Sequence, residues 1–132
     1  MSESLSLGAK IGRVLSILMG LPLVVIGVAW LVAPAVAAGS LGASLLQGTG
    51  LTTQIADSAA FFLCMGGFIV YGAIARNASL LFAGALLVGL VAPFRILAWQ
   101  MHGAALTLDF IVIELLTCAI ALATARAMSR AS

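Results

Sequence analysis

The chain has 132 residues, of which 64% are hydrophobic and only 8% are charged. Soluble domains carry about 25% charged residues, and a folded chain this small has too much surface for so few charges to keep it in water. The composition therefore favours an integral membrane protein. A net charge of +2, without a basic patch interleaved with aromatic residues, argues against a nucleic-acid partner.

The first apolar element is the uncharged run 14–33. At about 1.5 Å per residue it spans roughly 30 Å, one hydrocarbon core, so we predict a helix over 11–33. Lys10 and Arg13 precede it, and residues 35–37 (Ala-Val-Ala) resemble a signal-peptidase site, so a cleaved signal peptide is the alternative. We favour retention, because the run is longer than the usual apolar core of about 7–15 residues.

The connection 34–56 carries no charge and is rich in Gly, Ala, Ser and Thr. We expect a short helix at the membrane interface within 35–46. Gly48-Thr49-Gly50 is a helix-breaking pattern that should separate this segment from the next span.

Three further apolar runs follow, at 58–75, 77–94 and 110–125. In lipid the backbone amides must be satisfied internally, so these runs predict helices over 57–75, 78–99 and 107–127. Arg76 and Asn77 would form a tight turn, and residues 100–106 a second short link. The predicted fold is all-α, a single four-helix transmembrane domain over 1–132.

The basic residues outside the spans predict the orientation. They share one side of the four-helix arrangement: Lys10, Arg13, Arg76, Arg126 and Arg130. The opposite connections contain no Lys or Arg, and basic residues stay cytoplasmic. We therefore expect both termini in the cytoplasm of a bacterial cell, with the protein in the inner membrane. Trp30 and Trp99 should then lie near the outer interface, which amphipathic rings prefer.

Most remaining ionisable residues fall in one outer layer: Arg95, Glu114, Asp57, Asp109 and His102. Asp57 and Asp109 are expected to open the second and fourth helices, and His102 to lie in or beside the outer link. A charge near the bilayer centre costs about 2.5–3.5 kcal/mol. Arg95 and Glu114 lie at similar depths on helices joined by a short link, so we predict an ion pair. Asp57 is the second candidate partner for Arg95.

This layer has two interpretations that the sequence leaves open. It is either a small outward-facing site for a polar or anionic ligand, or for proton transfer, or an internal salt bridge that fixes which helices are neighbours. Arg95 can also snorkel to the interface. Asp57 and Asp109 suit helix N-termini, and His102 suits a hydrated loop.

The sequence predicts no catalytic residue, metal site or cofactor. A lone histidine argues against bis-histidine haem and histidine-rich di-iron sites. Cys64 and Cys118 lie inside apolar runs without zinc-ligand spacing, so we expect both to be packing residues.

Small residues recur along the helices: Gly20, Gly27, Gly66, Gly67, Gly72, Gly84, Ala85 and Gly89. Such residues let helices approach closely in lipid. They serve either packing within the bundle, which we favour, or contacts between copies of the chain.

Several short motifs resemble a known family: Ala33-Pro34, Leu41-Gly42, Gly66-Gly67 with Gly72, Phe94-Arg95-Ile96-Leu97, His102-Gly103 and Glu114-Leu115. In these the chain resembles small bacterial four-helix membrane proteins that form a domain of unknown function and are distantly similar to DoxX-like proteins. The resemblance implies the four-helix fold and Arg95 with Glu114 as the notable polar pair. It implies no reaction.

Two function classes follow. The first is a small accessory or scaffold protein acting through helix contacts, as a homo-oligomer or as a subunit of a membrane complex. The alternative is an oligomeric transporter or binder of a small polar or lipid-like solute at the Arg95/Glu114 layer. An enzyme is a third class, which no nucleophile–base pair supports.

The orientation can be tested with reporter fusions. Fusions at residue 132 and near Arg76 should read cytoplasmic, and one near Gly48 external, because the flanking basic residues all lie on one side. With the N-terminus in the cytoplasm, an external C-terminus would require an odd number of spans. That result would contradict the four-helix arrangement.

Overall fold

A computed structural model describes residues 4–130; the chain ends, predicted to be cytoplasmic, lie outside these residues. The described chain is all helical, with α1 (Leu7–Val32), α2 (Pro34–Ser40), α3 (Gly48–Ile74), α4 (Ala78–His102) and α5 (Leu108–Ser129). Four of these helices, all except α2, are long and apolar enough to cross a membrane. The prediction of an all-α chain with four such helices is confirmed.

The four long helices form a closed ring of neighbours. Helix α1 packs on α3, α3 on α4, α4 on α5, and α5 returns to α1. We call one end of this bundle the basic end, which carries Lys10, Arg13, Arg76, Arg126 and Arg130. The other end, where α2 lies, is the α2 end. Each long helix runs antiparallel to both of its neighbours in the ring.

Arg13 ties α1 to α3 at the basic end. Its Nε donates to the Ala73 carbonyl at 2.6 Å and its Nη2 to the Ile74 carbonyl at 3.1 Å. The last carbonyls of a helix lack partners within the helix, and a cation near them also suits the helix dipole. Arg13, which the sequence analysis used only to predict the orientation, therefore also caps the C-terminal end of α3.

The turn between α3 and α4 is as tight as predicted. Arg76 adopts a left-handed conformation with φ of 55°, which costs about 1–2 kcal/mol for a residue other than glycine. The Asn77 amide donates to the Gly72 carbonyl at 2.9 Å. The Asn77 side chain accepts from the Leu80 amide at 3.0 Å and so caps α4.

The start of α3 differs from the prediction. The helix begins at Gly48, nine residues before the expected start at 57, and the short α2 ends at Ser40. Gly48 and Gly50, which were expected to interrupt the helix, instead lie in its first turn. Asp57 therefore lies in the third turn of α3, so the prediction that it opens this helix is wrong.

Tertiary contacts explain the longer helix. Gln54 fastens the preceding connection, because its Oε1 accepts from the Leu46 amide at 3.0 Å and its Nε2 donates to the Ser44 carbonyl at 3.0 Å. Ile55 packs in the cluster around Trp30. A helical glycine costs only about 1 kcal/mol relative to alanine, which contacts of this kind can offset.

Trp30 is buried, whereas Trp99 is exposed. Trp30 belongs to a buried cluster with Ala37 and Ala38 of α2 and Ala59 of α3. Trp30 is thus packed inside the protein, and its predicted depth at the membrane interface stays a prediction. Helix α2 folds back over it and makes it part of the core.

The helix glycines serve packing inside the bundle. A Cβ atom at Gly66 would lie 2.7 Å from the Val24 backbone nitrogen and 2.9 Å from the Gly20 carbonyl oxygen. These are backbone atoms of α1, so neither can move without separating the helices. At the adjacent Gly67 a Cβ would meet nothing within 4 Å. The preferred interpretation of the small residues, close packing within the bundle, is confirmed for Gly66.

The pair of neighbouring glycines offers a matched test. Gly66→Ala should lower the stability of the detergent-solubilised protein by about 1–3 kcal/mol, because α1 and α3 must move apart. Gly67→Ala should leave it unchanged or raise it, since helix propensity improves without a clash. Thermal unfolding measures both. Equal melting temperatures for the two variants would contradict the close α1–α3 contact.

Candidate functional site

Arg95 and Glu114 form the ion pair that the sequence predicts. The Nε atom of Arg95 donates to Oε1 of Glu114 at 2.8 Å and to Oε2 at 3.1 Å. The side chains are 28% and 12% exposed, respectively. The geometry follows from the short link between α4 and α5, which makes them antiparallel neighbours and brings the two residues to one level.

Two further residues contact the guanidinium: Thr107, which directly precedes α5, and Phe110 in its first turn. Nη1 of Arg95 donates to the Thr107 hydroxyl at 3.4 Å, and the Arg95 Cζ lies 4.9 Å from the centre of the Phe110 ring, a cation–π contact. Sequence reasoning missed both. The signal was present, since residues 107, 110 and 114 recur at the spacing of one helix face.

The contacts of Arg95 leave part of its guanidinium available. Nη2 makes no hydrogen bond to any residue of the described range 4–130, and it is not sealed in the interior. The pair therefore has an unused donor, whereas a closed structural bridge would satisfy all of its donors.

The other predicted site residues do not join this pair. Asp57, Asp109 and His102 are exposed, and within residues 4–130 none of them forms an ion pair with Arg95. The prediction of Asp57 as second partner is wrong. Asp109 lies in the first turn of α5 and His102 in the last turn of α4. These positions suit the two helix dipoles.

The ion pair lies in the wall of a cavity of about 420 Å³, here called the bundle cavity. All four long helices contribute to it, together with Leu41 after α2. Its walls are apolar except at one side: Leu18, Met19, Pro22, Leu23, Ile26, Leu41, Phe61, Phe62, Met65, Val88, Val91, Phe110 and Ile113, with Arg95, Glu114 and Thr117 as the polar members. Sequence reasoning did not foresee this space.

The bundle cavity is open on the side where α1 faces α5. Its lining residues there are strongly exposed, with Leu18 at 59% and Ile113 at 54%, whereas Met65 on α3 and Val88 on α4 are buried. Toward the basic end this gap closes, since the Ser16 hydroxyl donates to the Thr124 hydroxyl at 3.5 Å. The opening therefore faces sideways, out of the bundle.

The bundle cavity has the size and lining of a ligand pocket. Ligand pockets typically measure about 300–1,000 Å³ and combine apolar walls with a few placed polar groups. Within residues 4–130, no three His, Cys, Asp or Glu side chains come together to hold a metal ion. Cys118 packs toward Gly89 as expected, but Cys64 is exposed on α3, so its predicted packing role is wrong.

A double-mutant cycle tests whether the ion pair stabilises the fold. Arg95→Gln and Glu114→Gln should each lower the free energy of unfolding by about 1.5–3 kcal/mol, because each strands a charged partner. The double variant should lose less than the sum. Asp109→Asn, at an exposed carboxylate, is the control and should have little effect. Additive losses would show that the two side chains do not interact energetically.

Comparison of the chain with protein-family models, curated proteins and solved structures gives no match. The resemblance to DoxX-like proteins therefore stays a prediction. The function has to be argued from the bundle cavity and its ion pair.

Proposed function

We propose that this protein spans the bacterial inner membrane with both chain ends in the cytoplasm and binds a small lipid-like molecule in the bundle cavity. The membrane placement is supported by the four apolar helices. The orientation is supported by the basic residues gathered at one end of the bundle. With this orientation the bundle cavity lies in the outer half of the membrane.

The observation that carries the binding proposal is one ion pair in the wall of an otherwise apolar, sideways-open cavity. A purely structural bridge is expected to be closed and dry, whereas Arg95 and Glu114 both line open space. In a bilayer the gap between Leu18 and Ile113 faces acyl chains. A ligand can enter there from the membrane without crossing water.

The ion pair also narrows the chemistry of the ligand. Arg95 and Glu114 neutralise each other, so an anionic headgroup would add an uncompensated charge beside the carboxylate, which is costly in a partly dry site. A hydroxyl, ester or carbonyl oxygen can instead accept from the free Nη2 of Arg95. We therefore favour an uncharged amphiphile with an apolar body and one polar end.

Binding is favoured over transport by the shape of the cavity. The contact between Ser16 and Thr124 closes the α1–α5 gap toward the basic end, so the cavity does not continue through the bundle. A single chain therefore offers a site and not a pathway.

The accessory-protein class and the homo-oligomer stay predictions. Both were argued partly from the small residues as contacts between chains. Gly20, Gly66 and Gly72 instead face helices of the same chain, so an oligomer would need another surface. Mass measurement of the solubilised protein would identify its assembly state.

Photolabelling in membranes tests the binding proposal. The probe is a long-chain fatty alcohol with a diazirine in its chain and a terminal alkyne, added to vesicles that contain the protein. After irradiation we expect labels on interior residues such as Met19, Phe62 and Met65. An excess of unmodified fatty alcohol should suppress these labels, since a site of this size saturates.

Adjacent residues supply a matched pair of variants. Val91 lines the cavity, whereas Leu90 is exposed on the outside of α4. Val91→Trp should fill the cavity and abolish interior labelling, and Leu90→Trp should leave it unchanged. Labels confined to outward-facing residues in all variants, without competition, would contradict the proposal.

A further inference from the structure

A second concave site lies at the basic end, between the start of α4 and the end of α5. This groove has a volume of about 450 Å³, and we call it the basic groove. Its lining consists of Ala78, Ser79, Phe82, Ala125, Arg126, Ser129 and Arg130. None of these residues lines the bundle cavity, so the two sites are separate.

The basic groove carries the positive charges of Arg126 and Arg130, and no carboxylate of residues 4–130 lines it. Arg126 lies in the last turn of α5 and Arg130 is the residue that caps this helix, four positions later. At this spacing like charges repel. Within residues 4–130 neither forms an ion pair, and the described acids Asp57, Asp109 and Glu114 all belong to the half of the bundle at the α2 end. An anion in the groove would relieve this repulsion.

The groove also has an apolar side. Phe82 is exposed and lies one helical turn farther into the span than Ser79. Ala78 and Ala125 also line the groove, and their small side chains take up little of its volume. In a bilayer the arginines would lie at headgroup depth and the phenyl ring at the depth where acyl chains begin. This order of polar and apolar groups matches the headgroup and acyl chain of a phospholipid.

We propose that the basic groove binds the phosphate-bearing headgroup of an anionic phospholipid in the leaflet at this end, cytoplasmic in the proposed orientation. Arg126 and Arg130 contact the phosphate, since guanidinium groups match phosphate oxygens in geometry and charge. The Ser79 hydroxyl is a further donor, and Phe82 packs against the acyl chain. Basic residues at a membrane surface attract anionic lipids, and the groove would make that attraction local.

Free phosphate could bind the same arginines as a lipid headgroup, but it has no apolar part to pack against Phe82. In the proposed membrane placement the groove lies beside the apolar surface of α4, which lipids surround. The proposal needs the membrane placement, but it does not depend on ligand binding in the bundle cavity.

Native mass spectrometry of the full chain in mild detergent tests the proposal. The protein is titrated separately with phosphatidylglycerol, phosphatidylethanolamine and inorganic phosphate. We expect phosphatidylglycerol to bind about tenfold more tightly than phosphatidylethanolamine. Inorganic phosphate should compete poorly. Competition by phosphate at the same concentrations as the lipid would overturn the assignment to a lipid.

Charge-matched variants separate the groove from the general charge of this end. Arg126→Gln/Arg130→Gln should lower phosphatidylglycerol affinity about tenfold. Lys10→Gln/Arg76→Gln removes the same charge at the same end outside the groove and should change affinity less than about twofold. Equal losses in the two double variants would overturn the proposal.

Three further variants complete the test. Should the groove double variant fail to fold, the single variants Arg126→Gln and Arg130→Gln replace it, and each should weaken phosphatidylglycerol binding. Phe82→Ala should weaken binding of both lipids and keep the preference for the anionic one. Unchanged binding in both single variants would overturn the proposal as well.

Discussion

The close contact between α1 and α3 is the constraint on which the rest of the structure depends. In lipid the hydrophobic effect does not drive helices together, so their association depends on close van der Waals packing. Gly20 and Gly66 let the two backbones touch. Helix α1 also contacts α5, and the Ser16 and Thr124 hydroxyls meet between these two helices. The gap left between α1 and α5 is the open side of the bundle cavity.

The charged residues of the described range 4–130 are divided between the two halves of the bundle. The described acids lie toward the α2 end, where one of them, Glu114, meets Arg95 in the cavity wall. The basic end keeps its arginines, and Arg13 there caps α3. A charge within a span is stable only with a partner, whereas charges at a bilayer surface can be left to lipid headgroups. The two proposed ligands therefore differ, an uncharged amphiphile in the cavity and an anionic lipid in the basic groove.

The features that the sequence predicts correctly are those set by one helix or by one short link. The long apolar runs predict the four helices, and the depths of Arg95 and Glu114 predict their pairing. The errors concern contacts between different elements of the fold. Contacts of Gln54 and of the Trp30 cluster favour a start of α3 at Gly48, which places Asp57 inside the helix. Helix α2 separately covers Trp30. The bundle cavity arises from how four helices diverge, which no single run of residues encodes.

The central claim is that the gap between α1 and α5 holds a ligand whose polar end meets Arg95. An electron-microscopy map of the protein in lipid nanodiscs, with a bound antibody fragment to add mass, tests it most directly. We expect elongated density in the bundle cavity, entering between Leu18 and Ile113 and ending within hydrogen-bond distance of the Arg95 guanidinium. Helices α1 and α5 packed together along their whole length, with no space beside the ion pair, would contradict it.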